Sequence, residues 1–111
     1  MENNKPIAIL NGAVITAEGV HSCRTISLAE GKRLIESAPA VISAVGHKAT
    51  AEIISDLLEM DIPLNRIDFH QEVGQQALVF KLNRRPPEGV ILSRDEIEEF
   101  GYHFQLLSRL S

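Results

Sequence analysis

Short apolar runs broken by turn residues, with two stretches of apolar residues at helical spacing, mark out the elements of this chain. Residues 6–10 form an apolar run with strand character that stops at Asn11-Gly12, a turn signal. Residues 13–16 are read as continuing extended, and residues 18–24 as a loop. Ser27-Leu28-Ala29-Glu30 fits a capping box, with Ser27 as N-cap and Glu30 at the third helical position. The helix it opens directs Leu28, Leu34 and Ile35 towards a core and should end before Pro39.

Residues 41–45 are apolar and β-branched, the composition of a buried strand. Gly46 then turns the chain. Residues 47–60 carry Ile53, Ile54, Leu57 and Leu58 at helical spacing, and 61–65, with Pro63, form a connection. Residues 66–71 alternate, Ile67 and Phe69 against Asp68 and His70, which predicts a strand. Glu72-Val73-Gly74 would then be a hairpin turn, with 75–83 pairing back. Residues 84–89 make a proline-containing loop, and 90–92 a short apolar bridge. Ser93 and Glu96 form a second capping box, opening a short helix that Gly101 ends; 102–110 is a last strand. The order β, α, β, α, β, β, α, β predicts an α/β fold, a mixed β-sheet flanked by helices, in a single domain over residues 1–111.

Composition narrows the function classes. The 111 residues include one tyrosine, four phenylalanines and no tryptophan, which argues against aromatic platforms for single-stranded nucleic acid. A formal net charge of −4 argues against non-specific duplex binding, which needs many neutralised phosphates. A small polyanion can still be held by a local basic cluster, for which Lys48, Arg66, Lys81, Arg84 and Arg85 are candidates. Cys23 stands alone, so no intrachain disulfide or thiolate metal site is expected. No apolar run has the length of a membrane span, and the N-terminus lacks a signal-peptide pattern, so the expected location is cytoplasmic with no membrane partner.

The candidate chemistry lies in Val45-Gly46-His47-Lys48-Ala49-Thr50 and Arg84-Arg85-Pro86-Pro87-Glu88-Gly89. A helix N-terminus offers unpaired backbone N–H groups and a partial positive charge, so His47 stands where a phosphate can be met and given a proton. Arg85 lies three residues before Glu88, and a carboxylate held beside arginine stays ionised and can accept a proton or orient a hydroxyl. His21, His70 and His103 show no metal-ligand spacing, and no role is assigned to them. There is no phosphate-cradling glycine loop, nucleophile elbow or paired-carboxylate signature. No metal and no cofactor are expected.

The two stretches together resemble the viral and prophage anti-CRISPR ring nucleases that degrade cyclic tetra-adenylate, the second messenger of type III CRISPR systems. The resemblance covers nearly the whole chain. It is carried by Leu10-Asn11, Thr16-Ala17-Glu18-Gly19, Ile26-Ser27-Leu28-Ala29-Glu30, Gly46-His47-Lys48-Ala49-Thr50, Asn65-Arg66, and Arg85 followed by Glu88-Gly89. It implies a homodimer with the cyclic ligand across its two-fold axis, and metal-independent attack of a ribose 2′-hydroxyl on the adjacent phosphorus. Carried over by position, it makes His47 the general acid, with Glu88 assisting and Arg85 beside it; Asn11, Gly46 and Arg66 would line the ligand. Where many relatives place a serine after the asparagine, this chain has Gly12. Two other readings stand beside this one. One is a binder that sequesters a cyclic nucleotide without cutting it, and the other is a viral protein-interaction module.

Overall fold

The computed structural model describes residues 5–12, 15, 18–84 and 93–111. The sheet is built outward from β1 (Ile7–Leu10), which is buried along its whole length. It pairs in parallel with β3 (Val41–Ser43) on one side and with β4 (Gln76–Leu82) on the other. β5 (Tyr102–Arg109) runs antiparallel to β4, and β2 (His21–Ile26) antiparallel to β5. Among the described residues the resulting order is β2-β5-β4-β1-β3, a mixed five-stranded sheet. The described residues also form three helices: α1 (Leu28–Ser37), α2 (Lys48–Leu58) and α3 (Arg94–Phe100).

Strand alternation divides the core in two. Ile7, Ile9, Leu78, Phe80, Phe104 and Leu106 point to one face, where Ile35 of α1, Ile54 and Leu57 of α2 and Ile97 of α3 meet them. Ala8, Leu10, Ala77, Val79 and Leu107 point to the other, against Ala44 and Phe69. Removing one of the fully buried side chains of the larger cluster, such as Ile54, would cost about 2–5 kcal/mol.

Both expected N-caps form. Ser27 Oγ accepts from the Glu30 amide at 3.1 Å, while the Glu30 carboxylate takes Arg24 of β2 at 2.9 Å. Ser93 and Glu96 make the reciprocal capping box, and Gly101, at φ 96°, closes α3.

Two expectations are corrected. Residues 66–71 are not a strand, and no hairpin joins them to β4. Both edges of β4 are already taken, by β1 and β5, so a hairpin partner has no place to pair. Conversely, much of the segment expected as a loop, 18–24, is strand. β2 is an edge strand, exposed at four of its six positions, and it holds its form by pairing with β5. The third strand is also shorter than expected, ending at Ser43, though Val45 remains fully buried. The extension expected at 13–16 and the bridge at 90–92 fall largely outside the described residues.

Candidate functional site

Open parallel sheets present ligand sites at the carboxyl ends of their strands. Here the chain leaves β1 at Asn11 and β3 at Ala44, and the two exits are neighbours because β1 and β3 pair. Between them lies an open cleft of about 580 Å³, lined by Asn11, Ala44, Gly46, His47, Arg66, Ile67 and Asp68.

Its far wall is the irregular segment after α2, held in place by polar clasps. Ser43 Oγ donates to the Pro63 carbonyl at 2.6 Å. Asn65 gives its side-chain amide to the Ser43 carbonyl at 2.7 Å and its backbone N–H to the Val45 carbonyl at 2.9 Å. Arg66 Nε donates to the Gly46 carbonyl at 2.8 Å, which anchors the guanidinium over the turn into α2. A Cβ on Gly46 would meet Arg66 Cγ at 3.4 Å, an ordinary van der Waals contact, so the arginine stem packs directly over this turn.

His47 is the N-cap of α2, in extended conformation, and is exposed; its side chain makes no cap hydrogen bond. A residue poor at capping thus occupies the position, and its side chain leaves the first-turn amides of an eleven-residue helix uncapped. Those amides, the helix dipole and Arg66 together suit an anion, with an imidazole alongside to donate a proton.

Asn11, Gly46, His47 and Arg66, proposed from the sequence, therefore share one cleft. Arg85 and Glu88 lie outside the described residues. The wider basic cluster is dispersed. Lys48 lines a separate groove beside α2 with Glu52, Asp61 and Leu64. Arg84 stacks over the Phe100 ring, 4.4 Å from its centre. Gly12 adopts φ 143°, a conformation that side-chain-bearing residues rarely take, so the position is shaped for glycine.

Sequence reading missed Asp68, Ile67 and Ala44. An alternating strand would set Ile67 and Asp68 on opposite faces; the irregular backbone lets both line the same cleft. Only the clasps at Ser43 and Asn65, which are tertiary, reveal this.

A profile of the STIV B116-like family matches residues 7–104. The chain belongs to that family. YddF of Bacillus subtilis (strain 168) is 37% identical over 105 residues, 94% of this chain and 97% of its own length. Protein 26 of Sulfolobus islandicus filamentous virus is 36% identical over 103 residues, 88% of this chain and 86% of its own. B116 of Sulfolobus turreted icosahedral virus superposes with a TM-score of 0.77 at 19% identity, covering 95% of this chain and 100% of that one. The B116-like fold is thus shared between this chain and viral proteins. Among the described residues, no helix is long and apolar enough to cross a membrane.

Proposed function

We propose that this B116-like protein is a metal-independent ring nuclease that opens cyclic tetra-adenylate and so ends type III CRISPR signalling. One observation carries the reading: four residues from three separate segments, Asn11, Gly46, His47 and Arg66, converge on a single cleft whose end is a helix N-terminus. The resemblance of the sequence to anti-CRISPR ring nucleases supplies the substrate.

In this reading the first-turn amides of α2 and Arg66 hold a linking phosphate. The adjacent ribose 2′-oxygen attacks phosphorus in line and the bond to the 5′-oxygen breaks. His47 gives its proton to that departing oxygen, while Glu88 assists in the removal of the hydroxyl proton. The products are short linear adenylates ending in a 2′,3′-cyclic phosphate and a 5′-hydroxyl. A ring of four phosphates has two-fold symmetry, and an isologous dimer offering the same cleft twice would cut opposite linkages.

The test is incubation of the purified protein with labelled cyclic tetra-adenylate in excess EDTA, with products resolved by chromatography. Linear products bearing a cyclic phosphate are expected. Tight binding without cleavage would make the protein a sequestering binder, and absence of both would leave a protein-interaction module.

A further inference from the structure

The cleft has a second compartment. A side pocket of about 210 Å³ adjoins it and shares the residues Asn11, Ala44, Ile67 and Asp68. Its remaining lining is Leu10, Gly12 and Phe69. Leu10 belongs to the smaller hydrophobic cluster, and Ala44 and Phe69 pack against it, so the floor is continuous with the core and firmly placed. Ile67 is 45% exposed beside it, an apolar side chain left uncovered in a cleft otherwise suited to phosphate.

Among the described residues, no basic or histidine side chain lines this pocket. The charged group among those described residues is the Asp68 carboxylate, which repels phosphate and accepts hydrogen bonds only. A neutral, flat, apolar group carrying a donor at its edge fits such a lining; the purine of adenosine, with its 6-amino group, is one. Resting on the proposed function, we infer that the side pocket seats an adenine of the ring, with Asp68 accepting from the 6-amino group while the neighbouring phosphate lies against α2 and Arg66. Asp68 is thus a specificity residue that reads the base and takes no part in bond cleavage.

The inference is tested by titrating the wild type, Asp68→Ala and Asp68→Asn with two ligands. One is cyclic tetra-adenylate; the other is the same ring built from purine riboside, which has hydrogen in place of the 6-amino group. The wild type should prefer the adenylate ring by about tenfold or more, the scale of one charge-assisted hydrogen bond. Asp68→Ala should lose that preference by weakening adenylate binding alone. Asp68→Asn keeps a carbonyl acceptor and should retain part of it. Asp68 is exposed, so the variants are expected to melt with the wild type. Equal weakening of both rings in Asp68→Ala, or an unchanged preference, would overturn the base pocket while leaving the nuclease reading intact. A wild type that binds neither ring would overturn both.

Discussion

Arg66 reaches back across twenty residues of chain to donate its Nε to the carbonyl oxygen of Gly46, at 2.8 Å. Together with the bonds of Asn65 to Ser43 and Val45, this bond couples the segment after α2 to the turn before it. It also uses the inner nitrogen of the guanidinium, leaving the terminal fork as the part available to a phosphate. Lysine keeps the charge but has one nitrogen for both tasks. Arg66→Lys should therefore weaken cyclic tetra-adenylate binding by about tenfold, and Arg66→Ala by more, with the loss shrinking as salt is raised. Titrations at two ionic strengths check this; wild-type affinity in Arg66→Lys would mean that charge alone matters there.

His47→Ala should lower cleavage by at least about a hundredfold, the scale of a lost general acid, with partial retention of binding. The imidazole makes no cap bond, so thermal melting should hardly move. Single-turnover rates decide the matter, and a near-normal rate would remove His47 from the chemistry.

Asn65 acts on the wall of the cleft. Its side chain secures the cleft wall through the Ser43 carbonyl. Asn65→Ala should cost about 1–2 kcal/mol in denaturant unfolding, a typical loss for a partly buried hydrogen bond. It should also raise the ligand dissociation constant, because Arg66 follows directly in the chain. A stable variant with weakened binding would still support the wall's role, whereas unchanged binding would refute it.

Expectations for residues 85 and 88 rest on sequence. Glu88→Ala should depress turnover without lowering the melting temperature, and Arg85→Ala should depress both binding and turnover. A Glu88→Ala protein that unfolds, with its folded fraction fully active, would make the carboxylate structural.

Light scattering should report twice the chain mass. A chain of 111 residues has little surface with which to enclose a macrocycle alone, and the cleft is open on one side. A monomer that cleaves at full rate would contradict a shared site.

Local signals were enough to locate β1, the two capped helices α1 and α3, α2 and β5. Ser27 and Ser93 announce their helices chemically, and the apolar spacing of α2 is unambiguous. The exchanged strand shows where local signals fail. His21–Ile26 is polar and mostly exposed, so only its distant partner identifies it as a strand. Residues 66–71 alternate as a strand would, yet β4 has no unpaired edge to receive them. Asn11, Gly46 and Arg66 were singled out by the family resemblance, and His47 by its place at a helix start as well; that they share a cleft comes from the fold. Asp68 was not singled out, since a lone carboxylate gains meaning only from the walls around it.

Among the described residues β2 has a single neighbour in the sheet, and that neighbour is β5, the last of the described strands. During synthesis His21 leaves the ribosome long before Arg109, the residue it faces in the finished sheet. Until then β2 has no ladder to join, and β4 lacks one of its two flanks. Such long-range closure slows folding. A nascent chain halted before residue 102 would therefore carry every described cleft residue on a sheet that still lacks β5.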